Sequence, residues 1–383
     1  MRLRAEIAGR LGPVPAGDWD ALDGEGNPFL SHAFLEALES CGCVGGDSGW
    51  QPQHLLLHDD SGALMGAVPR YLKEHSWGEF VFDWSWAQAY QRAGLHYYPK
   101  HLAAVPFTPV SGPRLLVRPG PHAATVRSAL AEALRGEAAR DGCSGAHVNF
   151  TTEPDQRALE AAGFLRRHDC RFLWRNRGYR DFDDFLDGFR SDKRKKIRRE
   201  RRRVAESGIT FASLAGESIA TPLWETIFAF SERTFLTHGN AHYLTAAFLA
   251  EVARRRPRTV LVELAERGGV PVAAAVFLQG RGTLYGRYWG SGAREDCLHF
   301  EACYYRGIEH CIAHGLEAFD PGTQGEHKLA RGFEPTLTHS AHWLAHDGFR
   351  AAVADYLARE RQAVTEYIAA AAAHLPFQRG PAP

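Results

Sequence analysis

Phe150, Ala161, Gly163, Phe164 and Trp174 return without a gap 169 residues later as Phe319, Ala330, Gly332, Phe333 and Trp343. Five identities in one register over 25 positions, three of them Phe or Trp, mark a duplicated unit, and a duplication limits the fold more than any local propensity does. The flanking patterns repeat too. In each half a helical run ends in Gly, a short strand follows (His147 to Phe150; Leu316 to Phe319), then a short helix, Gly-Phe, and a strand ending in Trp. Upstream, each half shows a β-hairpin pattern: His54 to Leu57 turning through Asp60-Ser61-Gly62 into Leu64 to Leu72, and Val260 to Leu264 turning through Arg267-Gly268-Gly269 into Val270 to Leu278. The hairpins stand 206 residues apart, so 37 residues of extra chain fall in the first half, within the aromatic segment 76–113.

At 383 residues the chain exceeds one ordinary core. The expected division is 1–178, an acidic-then-basic helical linker 179–207, and 208–383. Forty-five basic and forty-five acidic residues cancel, so no global field draws the molecule to a polyanion, and any such site is local. No run reaches the ~20 apolar residues of a membrane span, and no signal-peptide core follows the N-terminus, which predicts a cytoplasmic protein. Seven cysteines without a CxxC pair read as reduced thiols.

The second half reads strand (Ile209 to Leu214), helix (Pro222 to Phe235), helix (Leu244 to Arg255), three strands ending with Thr283 to Tyr288, a long helix (Cys297 to His314), strand, short helix, strand. That order is the one used by the GNAT acetyltransferase superfamily. Five segments then resemble the FemAB-like (peptidoglycan biosynthesis/recognition) family. They are Asn27-Pro28-Phe29-Leu30-Ser31-His32-Ala33-Phe34-Leu35, Pro106-Phe107-Thr108-Pro109-Val110-Ser111-Gly112-Pro113-Arg114, Gly286-Arg287-Tyr288-Trp289-Gly290, Leu298-His299-Phe300-Glu301-Ala302-Cys303-Tyr304-Tyr305 and Gly325-Glu326-His327-Lys328. The resemblance implies an α/β (α+β) fold of tandem GNAT-like domains, each a mixed twisted sheet flanked by helices. It also implies a donor that is acyl-CoA, as in most GNAT proteins, or aminoacyl-tRNA, as in the FemABX enzymes, with no tightly bound cofactor.

Acyl transfer to an amine needs a neutral amine, a stabilised oxyanion and a proton donor for the leaving group. In the second half Tyr288 is a candidate general acid, and the helix bearing His299, Glu301, Tyr304 and Tyr305 starts beside its strand. Tyr304 and Tyr305 are adjacent, so one of them is expected to pack, and Glu301 alternatively favours the helix N-terminus. Glu326 or His327 is expected to handle the proton, with Lys328 and Arg331 holding an anionic part of the substrate. A helix cap by Glu326 competes with that reading. The first half has no His-Lys pair at the matching place. Arg287 to Gly292 fits R-x-x-G-x-G, so Gly290, Ser291 and Gly292 are candidates for a CoA pyrophosphate loop, against a plain glycine-rich turn. In the segment 76–113, Asp83, Trp84 and Tyr97 are expected to line an acceptor pocket, although an ordinary core would look similar.

The run 193–203 holds nine basic residues in eleven, interrupted by Ile197 and Glu200. It is either a phosphate-binding column for tRNA or a nucleotide-linked precursor, or a solvated helix neutralised by Asp181, Asp183, Asp184 and Asp187. His310 and His314 lack the Glu of a zinc motif, and no metal is expected. The expectation is an N-acyltransferase or aminoacyltransferase acting on a primary amine of a small molecule, peptide or cell-wall precursor. The alternative is a non-catalytic protein that recognises a peptide, cell-wall precursor or RNA.

Overall fold

A computed structural model describes residues 2–22, 24–323 and 325–378. The strands in chain order are β1 (Arg4–Ala8), β2 (Trp50–Pro52), β3 (His54–His58), β4 (Leu64–Val68), β5 (Arg70–Lys73), β6 (Lys100–Ala103), β7 (Leu116–Val117), β8 (Gly145–Thr151), β9 (Leu165–Arg175), β10 (Ile209–Ala215), β11 (Val260–Arg267), β12 (Val270–Gln279), β13 (Thr283–Ser291), β14 (Ala318–Asp320) and β15 (Glu334–Leu344). The α-helices are α1 (Ala16–Asp20), α2 (His32–Ser40), α3 (Trp84–Arg92), α4 (Ala123–Arg140), α5 (Glu153–Ala161), α6 (Phe182–Asp187), α7 (Ser191–Glu206), α8 (Thr221–Thr237), α9 (Ala246–Arg255), α10 (Leu298–Phe300), α11 (Arg306–Ala313) and α12 (Asp347–Ala373). Among the described residues no helix is long and apolar enough to cross a membrane.

The chain forms two compact units, and they are not the contiguous halves expected from the sequence. One comprises Met1–Cys170 with Leu337–Glu366, the other Arg171–Thr336 with Tyr367–Pro383. The boundaries fall inside β9, β15 and α12, because the last strand of each half contributes its far end to the unit built mainly from the other half. Residues 174 and 175 of β9 pair with β14, whereas 339–344 of β15 pair with β8.

In the first unit β2, β5, β6, β8 and β15 form one sheet, antiparallel except for the parallel pair β6 and β8. A second, antiparallel sheet has the order β1-β3-β4-β7. The stretch Leu64 to Leu72, expected as one strand, breaks between β4 and β5 at Pro69, whose ring lacks the ladder donor. Val126, Leu130 and Leu134 recur every four residues on α4 and bury one face of that helix with Leu57, Val68 and Val148. The segment 76–113 is not wholly extra chain. It supplies α3 and also β6, the strand that pairs in parallel with β8.

The second unit runs β10-β11-β12-β13-β14-β9, antiparallel except for β13 and β14. Both units therefore place a parallel pair between antiparallel neighbours. The duplication extends to detail: β9 and β15 begin and end 169 residues apart, and Gly163 and Gly332, with φ of 90° and 84°, turn the chain out of the preceding helix where a side chain would be strained. The basic stretch is not a linker. Phe182, Phe185 and Leu186 of α6 and Ile197 of α7 join Trp174, Phe277, Phe319 and Phe333 in one core. Val204, seven residues after Ile197, continues the apolar seam, so α7 lies on the unit rather than outside it.

Helix α8 packs across β12 and β13. A Cβ on Gly290 would stand 2.0 Å from the carbonyl carbon and oxygen of Phe230. Gly290→Ala is therefore expected to force α8 off the sheet and lower stability by at least ~3 kcal/mol, the upper end for overpacking, in urea unfolding. An unchanged midpoint would contradict this packing.

Candidate functional site

Parallel β13 and β14 stay paired only through Thr283–Ala318, Leu284–Phe319 and Tyr285–Asp320. Beyond Tyr285, β13 continues to Ser291 beside β12 alone, with a bulge at which Val276 faces Tyr288 and Phe277 faces Gly286, leaving Arg287 as the extra residue. The strands thus part at their carboxyl ends, the place where sheets of this kind hold ligands.

Adjacent strand residues point to opposite faces, so β13 separates candidates that the sequence places together. On one face Tyr288 lies 5.6 Å from the ring of His242, which burial lowers to about 4. Arg287 places its guanidinium 5.5 Å from the Tyr288 ring. On the other face Trp289 meets His299 at 5.4 Å, and His299 meets Tyr304 at 5.2 Å. A π-helical turn, Glu301–Tyr305, joins α10 to α11 and turns both tyrosines inward. The Tyr304 hydroxyl lies 2.9 Å from Nε2 of His327, an exposed residue whose ring is partly covered at this contact. Burial, with Lys328 and Arg331 nearby, lowers the His327 pKa and favours a neutral imidazole. Burial raises Tyr304. His299, half-buried beside His327, falls to about 4 by desolvation.

The remaining charged candidates are held within the unit. Glu301 accepts two hydrogen bonds from Arg201, at 3.0 and 2.9 Å, so it is neither a free base nor a simple partner of a helix terminus. Arg331 donates to Glu200 at 2.9 and 3.1 Å, to Tyr305 Oη at 3.0 Å and to the His327 carbonyl at 2.8 Å, with its guanidinium 3.5 Å from the Phe300 ring. Lys328, buried and lowered to about 8 by that burial, donates to the carbonyls of Gly322 and Thr323 at 2.8 and 3.1 Å. Both cations are engaged within the unit, Arg331 by Glu200 and Lys328 by backbone carbonyls, and so shape the chain around His327. Gln324, in the same expected cluster, lies outside the described residues. Glu326 is exposed and accepts from the Tyr367 hydroxyl at 3.2 Å; its side chain does not cap the short 3-10 helix Glu326–Arg331 in which it lies.

The expected pyrophosphate loop is a strand. Gly290 and Ser291 pair with Ala274 and Ala273, the Gly292 amide donates to the Val272 carbonyl at 2.8 Å, and Ser291 Oγ bonds the Ala293 carbonyl at 2.7 Å. Gly290 admits the backbone of α8, not a phosphate. Among the described residues no group of three His, Cys, Asp or Glu side chains is arranged to hold a metal, and His310 bonds Gln279 at 2.8 Å.

The first unit holds a buried chain of polar side chains on one sheet face. Ser340 Oγ lies 2.9 Å from His342 Nε2, His342 Nδ1 2.8 Å from His147 Nδ1, and His147 Nε2 3.4 Å from Tyr97 Oη. Tyr97 donates to Asp83 at 2.6 Å, and the Lys100 ammonium donates to Asp83, to Glu79 at 2.8 Å and to Ser76 at 2.8 Å. Burial raises the Asp83 carboxyl, but Lys100 more than offsets this and holds it below the usual range. Glu79, where burial dominates, rises to about 7, and Lys73, 4.0 Å from it, falls to about 7 for the same reason. Asp83 and Tyr97 thus belong to an internally compensated network rather than an acceptor pocket, while Trp84 lies partly exposed outside it. Glu79, His147 and His342 escaped the sequence reading, yet the period-two pattern His147, Asn149, Thr151 was its signal. A groove of about 540 Å³ on the small sheet, lined by Glu6, Arg10, Val14, Leu56 and His58 among others, contains none of these groups.

The network sets a pH dependence. Burial lowers His147 to about 3 and His342 well below its ordinary value, so the unfolded chain binds their protons first and stability falls as pH drops below about 6.5. Glu79, raised, acts oppositely between about 4.5 and 7. Two imidazoles against one carboxyl leave the stability from this cluster falling as the pH drops from 6.5 toward 4.5. Denaturant titrations at stepped pH measure it, and a flat profile there would contradict the assignment.

Two sheets in one chain, each with a parallel pair set between antiparallel neighbours, define the class by fold, a tandem of GNAT-like units. The chain belongs to the FemAB-like family, described as peptidoglycan biosynthesis/recognition, whose model matches residues 10–379. Among solved structures, L-PGS from Bacillus licheniformis is 11% identical, with a TM-score of 0.55 and coverage of 92% of this chain and 99% of that one. FemX is 10% identical, with a TM-score of 0.54 and coverage of 92% and 100%. A conserved protein of unknown function from Bacteroides thetaiotaomicron VPI-5482 is 10% identical, with a TM-score of 0.50 and coverage of 88% and 99%. These likenesses show the fold. No curated protein sequence matches.

Proposed function

We propose that the chain transfers an acyl or aminoacyl group from an activated ester or thioester to a primary amine, at the opening between β13 and β14, with a cell-wall precursor peptide as acceptor. The observation that carries this reading is an exposed imidazole, His327, with a lowered pKa and a Tyr304 hydroxyl at 2.9 Å, beside parted parallel strands. The amine nitrogen attacks the donor carbonyl. Neutral His327 takes the proton that nitrogen loses as the N–C bond forms, and returns it to the departing thiolate or ribose oxygen as the old bond breaks. Tyr304 orients the ring, and Arg331 holds the His327 backbone through its carbonyl.

Helix α7 favours the tRNA-linked donor over the CoA-linked one. Arg194, Arg198, Arg201 and Arg203 are engaged by Asp187, Asp183, Glu301 and Asp296. Lys195, Arg199 and Arg202 are exposed on one helical stripe, without an ion-pair partner among the described residues. Three such cations suit a row of phosphates. The engagement of Glu301, Lys328 and Arg331 favours the second reading, a binding protein without turnover. A screen of aminoacyl-tRNA against acyl-CoA donors, repeated with Lys195, Arg199 and Arg202 all changed to Ala, tests both. Transfer from tRNA that the triple variant loses is the expected result. Transfer from CoA alone would overturn the donor assignment, and turnover from neither would favour the binding protein.

A further inference from the structure

The chain between β5 and β6 leaves large rings in solvent. Trp77 is 60% exposed and Phe82 57%, while Trp84 is partly exposed and meets Trp77 at 5.3 Å with the ring planes at 62°. Two indoles so disposed make an open corner, a floor with one side wall, rather than a flat patch.

That corner is held from within. The Trp77 carbonyl accepts from Trp50 Nε1 at 3.1 Å and from Lys73 Nζ at 3.5 Å, and the Phe82 carbonyl accepts from Arg167 Nη1 at 2.8 Å. Lys100 ties Ser76, Glu79 and Asp83, on either side of the exposed rings, to the sheet. These contacts anchor the segment at both ends of the exposed rings. A rigid frame that presents aromatic rings to water marks a surface made for a partner.

The neighbours decide its chemistry. Trp84, Gln88 and Gln91 stand at i, i+4 and i+7, one stripe of α3, and both glutamines are exposed. The exposed acidic and basic side chains of residues 74–98, histidines aside, are Glu74 and Arg92, which cancel. Single-stranded nucleic acid and anionic bilayers both call for clustered cations beside the rings, and residues 74–98 supply none. What matches indole faces bordered by neutral amides is a ligand with flat C–H faces and many hydroxyls, a pyranose.

We propose that the Trp77–Trp84 corner, with Gln88 and Gln91, seats a sugar ring of a neutral saccharide. The site lies wholly in the first unit and depends on no step of the transfer reading. Intrinsic tryptophan fluorescence would be titrated with cellopentaose, maltopentaose and chitopentaose, alongside sedimentation with neutral and anionic phospholipid vesicles. Saturable binding of one of these oligosaccharides is expected, weakened at least ~10-fold by Trp77→Ala and several-fold by Gln88→Ala. Trp77 is exposed, so its variant should keep the wild-type unfolding midpoint. Failure of all three sugars to bind, binding indifferent to Trp77→Ala, or vesicle binding that Trp77→Ala abolishes would each overturn the proposal.

Discussion

Lys100→Met is expected to destabilise the protein by about 3–5 kcal/mol, because it removes the one ammonium that touches both Glu79 and Asp83 and leaves two carboxylates in a desolvated interior. In a unit of this size that corresponds to a fall of roughly 10 °C in Tm. All three side chains are at most 3% exposed, so water cannot replace the lost partner without opening the segment. Adding Glu79→Gln and Asp83→Asn to the variant should recover much of the loss, since deleting every charge of a buried set is often close to neutral. A single variant as stable as wild type would show that the network carries no such dependence. A triple variant no better than the single one would locate the cost in packing.

His327→Ala has the largest expected effect on activity, a fall in kcat of about 10²–10⁴, the usual contribution of a positioned general base. The residue is exposed but its ring partners the hydroxyl of buried Tyr304, so the variant should lose about 1–3 kcal/mol of stability and still fold. Glu326→Gln and Glu301→Gln distinguish this assignment from the readings it replaces. Glu326 reaches Tyr367, not the histidine, and its variant should keep the wild-type rate. Glu301→Gln should weaken the Arg201 contact and lower stability rather than change the chemistry alone. The acid limb of kcat/KM should be centred below 6.5, because burial and the neighbouring cations keep the imidazole neutral at lower pH than usual. Wild-type turnover in His327→Ala would remove this histidine from the mechanism.

The duplication was legible from a handful of residues because Gly163, Phe164 and Trp174, with their counterparts, occupy positions where the fold tolerates little else: a left-handed turn, a buried ring and a strand end. Strand exchange was not legible. Nothing in β9 or β15 says which neighbour completes a sheet, since pairing is a property of three dimensions and both strands read alike. The basic run on α7 misled for a related reason. Charge dominates its composition, while Ile197 and Val204, the two residues that dock it, give only a thin seam.

At the site, His327 lies 2.9 Å from the Tyr304 hydroxyl, whereas Tyr288, which the sequence places beside them, lies on the other face of β13. One bulge at Arg287 changes which residues share a face, and a bulge leaves no mark in the sequence. Lys328 and Arg331 illustrate the same limit. A cation near a candidate site reads as a ligand holder until its own partners, here carbonyls and Glu200, are seen. The polar face of the first unit was announced by alternation in β8, and went unread because its partners come from a distant segment, 76–98, and from β15.

The opening in the second unit is expected to form an amide bond with His327 as base. The most direct measurement is a single-turnover reaction with a radiolabelled acyl or aminoacyl donor and a cell-wall precursor amine, followed for label in an amide product that resists mild alkali. Such a product is expected from the wild-type chain, with a rate at least ~10²-fold lower from His327→Ala. Donor and acceptor that both bind yet give no amide, or an amide formed equally fast by the variant, would contradict it.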